Sequence, residues 1–120
     1  MTKDASVYIR HIYDCILRIE EDVQEGRDAF FQQHKTQDAV IRNLEVIGQA
    51  VKDLGPEFLV MEHPNIPWSQ IAGTRNILAH QYLGVDLKLV WNIVEYNLPD
   101  LKYTIKQAAI RMKIDLPTKQ

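Results

Sequence analysis

An arginine, a histidine and a tyrosine lie within eight residues of this chain, as Arg75, His80 and Tyr82, and Asn76 follows the arginine. Arginine binds a phosphate through two N–H groups and can stabilise negative charge that builds on phosphorus in a transition state. Histidine titrates near neutral pH and can remove or donate a proton. Asparagine can orient the phosphate or the imidazole, and tyrosine can stack on a base. Together these residue types suit metal-independent cleavage of RNA by attack of the neighbouring 2′-hydroxyl, which would leave a cyclic phosphate and a free 5′-hydroxyl.

The segment that carries these residues predicts an amphipathic helix from Pro67 to about Gln81, because proline suits the first turn of a helix. Arg75 lies near the middle of its apolar face. A guanidinium keeps its charge in proteins, and burying it unpaired is costly. Arg75 therefore requires an anionic partner, a partner subunit or an anionic ligand. At about 100° per residue, the apolar face collects Trp68, Ile71, Ala72, Leu78, Ala79 and Tyr82.

Arg75 and His80 are five residues apart, so on a straight helix they diverge by about 140°. Two arrangements would bring them together. The helix can unwind near His80, or a second copy of the chain can supply the missing groups across a two-fold axis. In the second arrangement two histidines, one from each subunit, would act as base and acid.

The remaining chain also has helical periodicity, and its side chains predict where the helices begin and end. Asp4 and Thr36 are predicted caps of the first two long helices, and Gly55 with Pro56 ends the second. A short helical turn is expected at Ala29, Phe30 and Phe31. The inward faces of these two helices are predicted to be Tyr8, Ile12, Cys15, Ile16, Ile19 and Val23, which run to near Gly26, and Val40, Leu44, Ile47, Val51 and Leu54.

The last long segment is predicted to begin at a cap on Asp86, after Gly84 and Val85. Pro99 should kink or interrupt this helix, because proline lacks an N–H and clashes with the preceding turn. Its inward face is predicted to be Leu87, Val90, Trp91, Val94, Leu98, Leu101, Ile105, Ala108 and Met112. These patterns predict an all-α, up-and-down bundle of four to five helices in one domain, residues 1–120.

Composition and residue spacing argue against a membrane-spanning, disulfide-bonded or metal-binding protein. The net charge is −2 over 120 residues, and no apolar run reaches the length of a membrane span. Neither paired cysteines nor the H-x3-H and C-x2-C spacings of metal sites occur, so we expect no metal or cofactor. Cys15 is interpreted as a core residue of a cytoplasmic, reduced protein. Residues 101–120 carry five bases against Asp115 alone, which favours a solvated helix face over a phosphate-binding one.

The arginine–histidine–tyrosine spacing, Arg75-x4-His80-x-Tyr82, resembles the RX4HXY motif of HepT-type toxins in the HEPN superfamily. The flanking Ile66-Pro67-Trp68 and Ile71-Ala72-Gly73 are similar as well, as are residues 39–48 and the run from Val90-Trp91 to Leu98-Pro99. Gln49 departs from the family pattern, in which an acid often follows this glycine.

The resemblance implies a helical homodimer with a ribonuclease cleft shared by its subunits. Arg75 and His80 would be catalytic and Asn76 would support them. Tyr82 would be a regulatory tyrosine to which the cognate antitoxin, a small MntA-type nucleotidyltransferase, attaches AMP. The added anionic group would block RNA by charge and volume.

Less specific interpretations stay open. Arg75 could form a structural salt bridge to Glu45 or Asp86, His80 could be a helix C-terminal residue, and Tyr82 could be a core aromatic. At the level of the molecule, the chain could be a non-catalytic nucleotide- or substrate-binding partner of a nucleotidyltransferase, or a purely structural helical dimer. Arg42 could reach the cleft or pair at the surface with Glu45 or Asp38.

Overall fold

The computed structural model describes residues 4–55 and 86–116. Throughout these two ranges the secondary structure is helical, which confirms the predicted all-α fold class. The elements are α1 (Ala5–Asp22), α2 (Arg27–Gln32), α3 (His34–Leu54), α4 (Leu87–Asn92), a π-helical segment (Ile93–Asn97) and α5 (Leu98–Arg111).

Helix α1 begins where its sequence predicts. The Asp4 carboxylate accepts a hydrogen bond from the Ser6 backbone N–H at 3.0 Å, which satisfies one of the unpaired donors of the first turn. A hydrogen bond from the Ser6 hydroxyl, together with this one from the backbone N–H, lowers the pKa of Asp4, because both stabilise the ionised form. The helix buries Ile9, Ile12, Tyr13, Cys15, Ile16 and Ile19, while Tyr8 and Val23 are partly buried at the edges of that face.

The short helix α2 is confirmed at Arg27–Gln32, but the predicted cap of α3 at Thr36 is wrong. A cap at Thr36 would start the helix at Gln37, but helix α3 begins three residues earlier, at His34, and only Gln33 separates it from α2. The Thr36 hydroxyl donates to the Gln33 side chain at 3.1 Å and does not cap a backbone N–H. The Gln37 side chain instead donates to the backbone carbonyl of Phe30 at 3.0 Å. A contact between the two helices therefore fixes this junction.

Helix α3 ends at Leu54, where Gly55 adopts a φ of 100° that favours glycine. Its predicted inward residues Val40, Leu44, Ile47 and Val51 are buried, and Leu54 is partly buried.

The last segment begins at the predicted cap, because the Asp86 carboxylate accepts from the backbone N–H groups of Lys88 and Leu89. The predicted effect of Pro99 is confirmed. A π-helical segment precedes α5, which has the proline in its first turn. Proline has no N–H to donate to the carbonyl of Glu95 and crowds that carbonyl, so the preceding turn widens. Along this segment the predicted inward residues are buried, except that Leu87 and Met112 are half-buried.

The core lies where α1 packs against α3, and α5 closes it through contacts with α1. Phe30 brings α2 into this core, with its ring 5.3 Å from the ring of Trp91. A paired charge links the first and last helices at the surface, because the Lys102 ammonium lies 2.9 Å from the Glu20 carboxylate. Within residues 4–55 and 86–116, no helix is long and apolar enough to cross a membrane.

Candidate active site and its surroundings

The predicted site residues Arg75, Asn76, His80 and Tyr82 all lie in residues 56–85, outside the described residues. The helix predicted from Pro67 and the connection before it lie there too. These assignments therefore stay predictions.

The two ends of this segment are anchored on the bundle. Before it, the Gly55 N–H donates to the Val51 carbonyl at 3.1 Å, and Val51 is fully buried. After it, Asp86 caps α4, whose Val90 is fully buried. The motif segment thus follows the end of α3 at Gly55 and precedes the start of α4 at the Asp86 cap.

Arg42 and Gln49 each contact a residue of their own helix. The Arg42 side chain is 76% exposed, and its guanidinium lies 4.0 Å from the Glu45 carboxylate. Glu45 is one of the two surface partners predicted for Arg42, and an ion pair at this distance with an exposed guanidinium adds little stability. The Gln49 side chain donates to the Asp53 carboxylate at 2.8 Å, so the amide in place of the family's usual acid binds an acid one turn later.

Asp86 and Glu45 are the acids that the sequence offers as structural partners of Arg75. One oxygen of the Asp86 carboxylate already accepts from two backbone N–H groups at the start of α4. Glu45 lies one turn from Arg42, with its side chain 25% exposed. Asp86 thus has a structural role of its own as a helix cap.

The thiol of Cys15 is a core group, as predicted. It is 4% exposed, and burial, aided by the neighbouring Asp14 charge, raises its pKa to about 11. A thiol in this state is a poor nucleophile near neutral pH. His11 and His34 are both exposed. Among the described residues no group of histidine, cysteine and carboxylate side chains could hold a metal ion.

The basic C-terminal region is partly neutralised. Glu20 pairs with Lys102, while Lys106 and Lys113 are exposed. The backbone carbonyl of Asp115 accepts from the Arg10 guanidinium at 3.1 Å, which holds the chain after α5 against α1. Only part of the predicted positive face therefore remains available to an anion.

Sequence reasoning missed one surface feature, a row of exposed side chains formed by Tyr96, Tyr103 and Ile110, which we call the tyrosine row. These side chains are 65%, 57% and 71% exposed, respectively. Their seven-residue spacing is visible in the sequence, but the stronger apolar pattern on the core face of the same segment obscures it.

Comparison with known proteins agrees with this architecture. The model of a family described as "Ribonuclease HepT-like" matches residues 12–108. A "Probable ribonuclease HepT" of Thermococcus cleftensis is 40% identical over 103 residues, which cover 85% of this chain and 93% of the relative. No solved structure is significantly similar to the chain.

Two further relatives have names that refer to RNases. One from Caldanaerobacter subterraneus subsp. tengcongensis, named "Putative RNase", is 35% identical over 83% of this chain and 89% of its own length. Another, from Methanocaldococcus jannaschii, is named "Gamma-glutamylcyclotransferase and putative RNase" and is 43% identical over 88% of this chain. The match spans only 47% of that longer relative.

An all-α bundle in a chain whose sequence has the Arg75-x4-His80-x-Tyr82 spacing is typical of the HEPN class of helical proteins. Within that class, the chain belongs to the HepT-like ribonuclease family.

Proposed function

We propose that this protein is a metal-independent endoribonuclease and the toxin of a toxin–antitoxin pair. The observation that carries the proposal is the motif Arg75-x4-His80-x-Tyr82 within a chain that matches the HepT-like ribonuclease family over residues 12–108. The named ribonucleases among its relatives support RNA as the substrate.

In the proposed reaction, the 2′-oxygen of one nucleotide attacks the adjacent phosphorus. The P–O bond to the 5′-oxygen breaks as the new P–O bond forms, which yields a 2′,3′-cyclic phosphate and a free 5′-hydroxyl. One His80 takes the proton from the 2′-hydroxyl, and the His80 of a second subunit gives a proton to the departing 5′-oxygen. Arg75 stabilises the charge on phosphorus, and Asn76 orients the phosphate or the imidazole.

Replacing His80 tests the proton-transfer role. We expect His80→Ala to lose cleavage of total RNA in excess EDTA, while the wild type leaves cyclic-phosphate ends. His11→Ala is a matched control, because His11 is an exposed histidine on α1, and it should cleave at the wild-type rate. Equal cleavage by wild type and His80→Ala would contradict the assignment. Absence of any product from folded wild type would favour a non-catalytic partner of a nucleotidyltransferase.

We further propose that an MntA-type nucleotidyltransferase, acting as antitoxin, silences the enzyme by attaching AMP to Tyr82. The α-phosphorus of ATP would bond to the phenolic oxygen, with pyrophosphate leaving and the phenol proton passing to solvent. The adduct places a bulky anion beside Arg75 and His80 in sequence, which would repel RNA phosphates.

The chain offers matched controls for this modification. Tyr96 and Tyr103 are more than half exposed, so accessibility alone would make them targets. With the nucleotidyltransferase and ATP, intact-mass measurement should find added AMP on wild type, Tyr96→Phe and Tyr103→Phe, and none on Tyr82→Phe. AMP on Tyr82→Phe would contradict the proposed site.

A further inference from the structure

The tyrosine row exposes two aromatic rings on one face of the last helical segment. Tyr96 lies in the π-helical segment and Tyr103 in α5, and both side chains are more than half exposed. Seven residues, or about two helical turns, separate them, so the two side chains leave the backbone about 10 Å apart along the axis. Within the described part of the chain, neither ring contacts another aromatic ring or a cation. Both rings are therefore accessible to a flat ligand.

The two flanks of the row differ in charge. At about 100° per residue, Lys102 and Lys106 lie on one side of Tyr103, and Asp100 lies on the other side. Lys102 is paired with Glu20. The exposed Lys106 forms no ion pair with any residue that the structure describes. Because residues three apart are neighbours on a helix surface, Lys106 lies beside the tyrosine. A phosphate is thus attracted to one flank of the row and repelled from the other.

This combination of rings and charge suits single-stranded nucleic acid. A single strand presents unpaired bases whose flat faces can stack on aromatic side chains, and its phosphates bind cations along the backbone. A duplex hides those base faces, so it cannot use the two tyrosine rings in this way. The one-sided charge also fits a strand, because the backbone can follow the lysine flank while the bases lie over the row.

We propose that the tyrosine row is a binding surface for single-stranded RNA, on which bases stack against Tyr96 and Tyr103 and a phosphate binds Lys106. The surface lies outside the ribonuclease motif and holds nucleotides other than the two that flank the scissile bond. The choice of RNA as the ligand rests on the proposed function.

Binding of an uncleavable strand tests the stacking. A fluorescein-labelled 2′-O-methyl oligoribonucleotide lacks the attacking 2′-hydroxyl, so fluorescence anisotropy measures affinity without cleavage. Tyr96→Ala and Tyr103→Ala should each weaken binding by about tenfold, because each removes one stacking ring. Tyr103→Phe retains the ring and should bind like the wild type. Circular dichroism checks that each variant remains helical.

The salt dependence of the same affinity tests the phosphate contact. Lys106→Gln should reduce the slope of log K against log salt concentration by about 0.7, the value for one phosphate of a single strand. Tyr103→Ala should leave that slope unchanged, because stacking releases no counterion. Lys35→Gln is the matched control, since Lys35 is an exposed lysine on α3, and it should change neither affinity nor slope.

Several results would overturn the proposal. Wild-type affinity in both Tyr103→Ala and Lys106→Gln would do so, as would a wild type that does not bind the strand. Weaker binding by Tyr103→Ala that accompanies dissociation of its subunits in sedimentation equilibrium would assign the row to subunit pairing instead. Failure of the proposed activity is distinguishable, because a wild type that binds through the row and cleaves no unmodified RNA would contradict only the activity.

Discussion

At the scale of single residues, the buried thiol of Cys15 has a chemical consequence. Its pKa of about 11 in the folded chain compares with an ordinary value of 9.0, so the folded state holds the thiol proton more tightly than the unfolded state. The stability that this provides is fully present below about pH 9 and is lost as pH rises through the folded-state value. Thiolate is the reactive form, so folding should protect Cys15 from alkylation.

We expect iodoacetamide at pH 8 to leave native Cys15 unmodified and to modify it fully in denaturant, as measured by intact mass. Protection should weaken as pH approaches 11. Native labelling at the rate of the unfolded chain would contradict the burial of this side chain.

At the scale of elements, the turn that ends α5 contains a non-glycine residue with a left-handed backbone conformation. Lys113 has a φ of 57°, in the left-handed region that glycine adopts most easily. The Lys113 N–H donates to Ile110 and the Ile114 N–H donates to Ala109, the two hydrogen bonds of a Schellman motif. The hydrogen bonding of this helix end is therefore complete, although the residue type at its turn is strained.

We expect Lys113→Gly to raise the free energy of unfolding by about 1 kcal/mol, because glycine removes the steric strain at this turn. Lys52→Gly is the opposite control. It makes the same change within the helical residues of α3 and should lower stability by about 1 kcal/mol. Urea denaturation of both variants measures the difference. A Lys113→Gly variant less stable than wild type would show that the lysine side chain contributes more than the strain removes.

The helix boundaries that were predicted correctly from the sequence are those at which a single side chain determines where the helix begins or changes. Asp4 and Asp86 cap helices because a carboxylate next to unpaired N–H groups accepts hydrogen bonds locally, and Pro99 alters the helix through its own ring. The predicted cap at Thr36 was wrong because contacts between α2 and α3 determine that α3 begins at His34. The pairing of Lys102 with Glu20, 82 residues apart, depends on tertiary packing that no local pattern contains.

At the scale of the whole molecule, the sequence predicts the helical fold more fully than the geometry of the candidate site. The periodicity of the apolar residues predicted the bundle correctly, because burial of one face determines how each helix packs. The candidate site depends on the spacing of the motif and on family membership, and Arg75, Asn76, His80 and Tyr82 lie outside the described residues. The spacing gives residue types, whereas catalysis depends on distances between groups on separate turns or separate subunits. Functional substitution in the intact protein is therefore the decisive measurement.

Arg75 distinguishes a catalytic dimer from a purely structural one. Methionine has a similar volume without the charge. If Arg75 lies on the apolar helix face that the sequence predicts, Arg75→Met should leave the free energy of unfolding unchanged or raised, since replacing a buried charge by an apolar side chain is often stabilising. If Arg75 stabilises the transition state, RNA cleavage by the variant should fall by about 10² or more. Arg42→Met is the matched control, because the Arg42 side chain is 76% exposed, and it should change neither quantity. Cleavage rates and urea denaturation measured on both variants separate the two roles, and an Arg75→Met protein that cleaves RNA like the wild type would exclude Arg75 from the chemistry.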